Sequence, residues 1–280
     1  TGVKAMTVSG DNSGKNRADD LGIVANYSTV NGDLTSLTVT ASGNARVKGI
    51  FASNSDVKLA LSGDLTVEGR NGMADGITAI NSDVTFTGVK SMSVSSGSGG
   101  AYGIQSYGST VSGDLAAMTV TATESSQGIH ASGSGVVKLS AAGPVSVTSK
   151  NSSAYGININ SNKVSTINIA KDLTVKGAAG GAGVTAAGAA HQITVGGLAD
   201  VSIAAGGSNA IYAADNSSVN LNGGASLDVT GTGDVSGIKA ANGGNVTVSG
   251  DKAIVKASTT GENLTAYAIN NTGSGDISIN

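Results

Sequence analysis

Hydroxyl side chains recur in this chain two residues apart, alternating with apolar residues, as in Met6-Thr7-Val8-Ser9, Leu37-Thr38-Val39-Thr40 and Met118-Thr119-Val120-Thr121. On an extended backbone this spacing puts the hydroxyls on one face and the apolar side chains on the other. Such a file of hydroxyls can hydrogen-bond to a like surface or to a glycan. The candidate face comprises Thr7, Thr38, Thr40, Thr66, Ser93, Ser95, Thr119, Thr121, Ser146, Thr148, Thr174 and Ser202. Two rows are expected on it. One reads Thr7, Thr38, Thr66, Ser93, Thr119, Ser146, Thr174, Ser202, Asp228; the other reads Ser9, Thr40, Glu68, Ser95, Thr121, Thr148, Lys176, Ala204, Thr230. The plainer reading is that Ser and Thr are ordinary solvent-facing strand residues. An ice-binding Thr-x-Thr array fits Thr38/Thr40 and Thr119/Thr121, but Glu68, Lys176, Ala204 and Asp228 break its lattice.

Catalytic groupings do not assemble in the same register. Glycoside chemistry needs paired carboxylates. Glu68 has Thr40 and Ser95 beside it, and Asp228 has Ser202. Asp33, Asp64, Asp114 and Asp251 fall in Gly-Asp turns. His130 and His191 are two coils apart and off register, so no shared metal site or Ser-His-Asp arrangement follows. His130 comes one residue after Ile129 and is expected to point outward into solvent. No catalytic residue, cofactor or metal is therefore expected, and the chain reads as a non-enzyme.

Three further groups have two readings each. Asn54-Ser55-Asp56 and Asn81-Ser82-Asp83 share a corner of adjacent coils. They form either a duplicated Asx turn or oxygen ligands for Ca²⁺, although the calcium-binding nonapeptide repeat is absent. Lys15, Arg17, Arg46, Lys48 and Arg70, diluted by Asp11, Asp19, Asp20 and Asp75, read as a mixed solvated edge rather than an anion site. Tyr102, Tyr155 and Tyr267 sit in Ala-Tyr-Gly and Ala-Tyr-Ala sequences read as corners; lying in nonadjacent coils, they make no continuous sugar-stacking platform. Asn-x-Ser/Thr sequences at Asn26, Asn151, Asn216, Asn245 and Asn263 are expected by chance in so Asn-, Ser- and Thr-rich a chain.

What must position all of these is a repeat. Gly followed by a branched residue recurs at Gly22, Gly49, Gly76, Gly103, Gly128, Gly156, Gly183 and Gly237, with Ala210-Ile211 and Ala268-Ile269 as variants. The steps are 27, 27, 27, 25, 28, 27, 27, 27 and 31 residues. A period in this range, filled with short alternating runs, marks a solenoid. Each coil holds three such runs, which predicts three strands per coil. The first strand turns the branched residue inward, then Ala25, Ala52, Ala79, Ser106, Ala131, Ala186, Ala213 or Ala240. The second supplies pairs such as Val84/Phe86, Val137/Leu139 and Val219/Leu221; the third supplies Leu65/Val67, Met92/Val94, Leu173/Val175 and Val201/Ile203. Parallel crossovers are right-handed. The prediction is an all-β, right-handed parallel β-helix of about ten coils over residues 1–280, a rod of roughly 45–50 Å.

Composition agrees. The chain has 43 glycines and no Trp or Cys among 280 residues, only 3% aromatic residues, and 16 basic against 19 acidic side chains for a net charge of −3. A narrow core of Val, Ile, Leu and Ala needs few rings. The charge balance and the lack of a basic stripe argue against nucleic acid as a partner. No apolar run reaches the roughly 18 residues of a membrane helix, so no membrane insertion is expected. The chain enters in a third strand, 3–8, and leaves in a second, 277–280, without polar caps. It therefore reads as a fragment, continued by native sequence or by another subunit.

The runs Gly49-Ile50-Phe51-Ala52-Ser53-Asn54-Ser55-Asp56-Val57, Ser62-Gly63-Asp64-Leu65-Thr66-Val67 and Ser217-Ser218-Val219-Asn220-Leu221 give the chain a family likeness. It resembles the passenger region of bacterial autotransporter (type V secretion) adhesins along its whole length. The resemblance implies a β-helical rod, exported through a C-terminal β-barrel to the bacterial surface or secreted, and acting in adhesion, self-association or biofilm formation. Its implied partners are other copies of itself, or a host or bacterial surface protein or glycan. A phage tail or fibre β-helix, or the inert stalk of a carbohydrate-active protein, is the alternative.

Overall fold

The computed structural model describes residues 4–10, 20–206, 208–260 and 264–280. Among them are 28 strands and no helix. Ten strands, from Asp20–Asn26 to Ala266–Thr272, stack as one sheet built from the first strand of every coil. The second and third strands form the other, 18-stranded sheet. They count as one sheet because Asp83–Ser96 and Thr110–Ala122 each run through both positions without a break. Neighbours are parallel and lie on their equivalents one coil away. The predicted β-solenoid of about ten coils is the architecture found.

The recurring glycine has a steric cause. Ladder pairing steps over it: Tyr102 pairs with Gln127 and Ile104 with Ile129, leaving Gly103 and Gly128 between them. The inward phase shifts at this point, so that Ala101 and Ile104 are both buried. The skipped residue thus faces the core as well. A Cβ on Gly103 would lie 2.5 Å from the Gly128 carbonyl oxygen and 2.7 Å from Met118 Sδ. On Gly156 it would lie 2.5 Å from both the Gly183 oxygen and Val175 Cγ2. Glycine lets the first strand approach the third more closely than a Cβ would allow. A second size match fills the column of the second strands, where Gly113 stacks beside Phe86 and a Cβ would meet its ring at 2.6 Å.

The corner between the first and second strands is closed from inside by a polar ladder. The Ser28 N–H donates to Ser55 Oγ at 3.1 Å, the Ser55 N–H to Ser82 Oγ at 3.1 Å and the Ser82 N–H to Ser109 Oγ at 3.0 Å. Each acceptor hydroxyl donates in turn to a carbonyl two residues back: Ser53, Ile80 and Tyr107. Buried polar groups are thereby satisfied coil by coil. The turn residue ahead of the ladder is left-handed at Tyr27 (φ 49°), Asn54 (φ 49°), Asn81 (φ 48°) and Gly108 (φ 59°). Asn and Gly suit that conformation; Tyr27, 84% exposed, carries its strain.

Register differs from expectation in two places. The second-strand pairs Val84/Phe86, Val137/Leu139 and Val219/Leu221 read as equivalents, which would place Val219 in the column of Val84 and Val137. Instead Ile167 stacks on Leu139, and the column continues through Ile193 to Val219. The second strand is also shorter there: Thr166–Ile169, Gln192–Val195 and Ser218–Leu221 hold four residues each, against six in Asp56–Leu61. In the third strand Thr174 faces Asp200 rather than Ser202, and Val175 faces Val201. Both slips are of two residues, so every inward residue stays inward. Residues 11–19, which hold Asp11, Lys15, Arg17 and Asp19 of the mixed edge, lie outside the described residues, as do 261–263 with Asn263.

The steric account predicts a contrast between glycines. Gly103→Ala should destabilise the rod by about 1–3 kcal/mol. Gly32→Ala, whose Cβ would meet only Leu59 Cδ2 at 3.8 Å, should change stability by less than about 0.5 kcal/mol. Urea unfolding of both variants measures the difference, and equal effects contradict the account.

Candidate binding faces

The third strands bring most of the predicted hydroxyls together. Thr7, Thr38, Thr66, Ser93, Thr119, Ser146 and Thr174 face one another in unbroken succession over seven coils. Beyond Thr174 the row reads Asp200, Ser226 and Ile254. The neighbouring row holds Ser9, Thr40, Glu68, Ser95, Thr121, Thr148 and Lys176, then Ser202, Asp228 and Lys256. Ser202 and Asp228 therefore belong to the second row, and the first row loses its regularity one coil earlier than expected. Ala204 and Thr230 fall a further step along the strand, where Thr230 Oγ1 and Ser258 Oγ are 2.9 Å apart.

The first-strand sheet presents a different chemistry, which the sequence reading missed. Tyr102, Tyr155 and Tyr267 are not at corners; they lie within the strands Ala101–Tyr107, Ala154–Ser161 and Ala266–Thr272. One outward row runs Lys48, Asp75, Tyr102, Gln127, Tyr155 and Ala182. Beside it run Phe51, Thr78, Gln105, His130, Asn158 and Thr185. Several of these outward side chains are covered by their neighbours: Asp75 is 0% exposed, and Thr78 and Gln105 are each 3% exposed. Asp75 Oδ2 lies 2.5 Å from Arg46 Nε, and Thr78 donates to Gln105 Oε1 at 3.3 Å. His130 faces outward as expected but is not free in solvent. Its ring packs on Tyr107 with centroids 5.5 Å apart. Burial raises the Tyr107 phenol pKa, with the Asp75 charge acting in the same direction and Arg46 opposing it. Two buried polar atoms in this patch, Gln127 Oε1 and His130 Nδ1, have no hydrogen-bond partner among the described residues.

Other charged groups are used within the rod. Asp114 accepts the Gly88 N–H, Asp172 the Leu198 N–H and Asp215 the Gly188 N–H, each at 2.8 Å. Asp64 accepts the Ser91 hydroxyl at 2.8 Å. Lys48 Nζ sits 4.3 Å from the Phe51 ring centroid, and Arg70 Nε is 3.8 Å from Glu68 Oε1. Asp56 does face Asp83 across the predicted corner. The Ser55 and Ser82 hydroxyls between them, however, turn inward into the serine ladder. Among the described residues no group of three or more His, Asp or Glu side chains is placed to hold a metal ion.

His191 has a structural place. It is 0% exposed and stands in a second polar column, which begins over Val137, two residues along from the Ser109 column. Val137 N–H donates to Ser165 Oγ, Ser165 N–H donates to His191 Nδ1 at 3.1 Å, and the Ser217 hydroxyl donates to the Ala189 carbonyl at 2.7 Å. Nδ1 therefore carries the lone pair, and Nε2–H donates to the Ala187 carbonyl at 2.9 Å. The imidazole takes the acceptor role that a serine hydroxyl plays elsewhere. The sequence signal is the pattern Ser165-Thr166-Ile167, His191-Gln192-Ile193, Ser217-Ser218-Val219.

Burial holds the His191 pKa below the ordinary imidazole value, against hydrogen bonds at Ala187 and Ser161 and the charge of Asp215. Burial lowers His130 likewise, against a main-chain hydrogen bond at Asn158. As pH falls through the ordinary value of about 6.5, the unfolded chain takes up protons that the folded chain refuses, so stability declines toward the depressed folded values. The urea midpoint should be lower at about pH 5.5 than at about pH 7.5, and His191→Gln should narrow that gap. A variant keeping the full parental gap would show that His191 is not its source.

No family model, curated protein or solved structure matches the chain.

Proposed function

We propose that this chain is a non-enzymatic structural and adhesive rod, displayed at or secreted from a bacterial surface, that associates with copies of itself through its third-strand face. The observation that carries the reading is the row of seven Thr and Ser side chains from Thr7 to Thr174, one per coil and each directly over the next. Such a row repeats a hydroxyl about every 4.8 Å, so two rods laid side by side can pair many groups at once. Each contact is weak, and their sum depends on a matching repeat. The reading as a non-enzyme draws support from the carboxylates already spent on main-chain N–H groups and on Arg46. A chain with no Cys and 12% charged residues suits export and hydroxyl-based solvation.

The double substitution Thr66→Arg and Thr119→Arg places two like charges in the row. Cells displaying the parent chain should cluster, and the purified parent should sediment as oligomers. The variant should do neither, while its thermal unfolding stays within about 0.5 kcal/mol of the parent. Equal clustering and sedimentation by parent and variant would remove the third-strand face from the account.

A further inference from the structure

We propose that the first-strand sheet carries a binding site for an uncharged oligosaccharide, centred on Gln127 and His130 and bounded by Tyr102 and Tyr155. The site spans the adjacent strands Ala101–Tyr107, Ser126–Gly133 and Ala154–Ser161. It lies on a different face from the hydroxyl rows and does not depend on their being adhesive.

Hydrogen-bonding chemistry comes first. Gln127 Oε1, an acceptor, and the His130 Nδ1 ring nitrogen are both buried without partners among the described residues. A buried polar atom left unpaired is costly, so this pair favours an occupant that can hydrogen-bond to it. Asn158, beside His130 in its row, adds a part-exposed amide group that both donates and accepts. A ligand rich in hydroxyls answers this set.

The apolar part of the ligand is specified by the rings. Tyr102 and Tyr155 lie in the same row with Gln127 between them, two coils apart, or about 9.6 Å at the strand spacing. Tyr107 stands against His130 within the same patch. Aromatic faces pack on the C–H faces of pyranose rings, and a ring at each end with amides between suits a short sugar chain lying along the rod axis. An extended pyranose chain advances per sugar by close to the strand spacing, so successive sugars meet successive coils.

Charge then selects among saccharides. The outward positions of these three strands hold Tyr, Gln, Ser, His, Asn and Gly but no Lys, Arg, Asp or Glu. Burial keeps His130 in its neutral form at neutral pH. At the edge of the patch, Asp75 is neutralised by Arg46. A uronate would therefore leave its carboxylate unmatched, whereas a neutral sugar loses nothing.

The probes are cellohexaose, maltohexaose, mannohexaose and chitohexaose, with hexagalacturonate as the acidic comparison. The chain has only two histidines and no Trp, so the imidazole proton resonances and the tyrosine fluorescence report binding directly. At least one neutral probe at millimolar concentration should shift the His130 ring resonances and leave those of His191 in place. Tyr102→Ala and Tyr155→Ala should each weaken that binding roughly tenfold, while Tyr102→Phe and the remote Tyr267→Ala leave it unchanged. The Phe variant separates the ring from the hydroxyl, and parental His191 resonances in the Ala variants show that the fold is kept. No shift of His130 with any neutral probe overturns the proposal. So does binding that survives the Tyr102→Ala/Tyr155→Ala pair, or binding of hexagalacturonate alone. The rods' self-association is read separately by sedimentation, so either result stands without the other.

Discussion

Everything in this molecule depends on each residue lying directly over its equivalent in the next coil. That constraint explains the core, which is narrow, aliphatic and filled by columns rather than by a three-dimensional mosaic. It explains the glycine column, because the first strand reaches the third only where no Cβ intervenes, as at Gly103 against Met118 and the Gly128 carbonyl. It also explains the buried polar atoms. A serine hydroxyl or an imidazole nitrogen that accepts an N–H from the coil before, and donates within its own turn, can be repeated without leaving any group unpaired.

The same constraint turns single substitutions into surface chemistry. An outward position on a strand becomes a row when it recurs at every coil, and rows of one residue class become a face. The third strands make a hydroxyl face in this way, from Thr7 to Thr174. The first strands make an aromatic and amide patch where Tyr102, Gln127 and Tyr155 follow one another. Charged groups are few, and several are occupied in joining coils, as Asp114, Asp172 and Asp215 are. The recognition proposed for this rod therefore rests on hydrogen bonding and ring packing.

Much of the fold was legible in the sequence because the Gly-branched pair marks one strand of every coil, from Gly22-Ile23 to Ala268-Ile269, and the structure pairs these residues in that register. The second and third strands were legible in direction but not in register. Alternation repeats every two residues, so a two-residue slip, such as Thr174 facing Asp200 instead of Ser202, preserves the entire inward and outward pattern. Hydrophobic periodicity cannot detect such a shift. The hydroxyl row survived it for seven coils because the slip falls after Thr174. The tyrosine patch was hidden for another reason: Ala-Tyr-Gly looks like a corner until one sees that the glycine is the core-facing residue of a strand and that Tyr102 is therefore in the strand too. His191 looked like an isolated imidazole because its role is defined by Ser165, 26 residues earlier.

Register is thus the claim on which both faces rest, and it can be read chemically in a chain that contains no cysteine. Paired cysteines at positions 176 and 202, from Lys176→Cys and Ser202→Cys, should form a disulfide readily under mild oxidation, because these residues are direct cross-strand neighbours. Paired cysteines from Thr174→Cys and Ser202→Cys should remain reduced, since a diagonal pair lies about 8 Å apart, beyond disulfide reach. Ready cross-linking of the 174/202 pair with the 176/202 pair left reduced would contradict the register and the rows built on it.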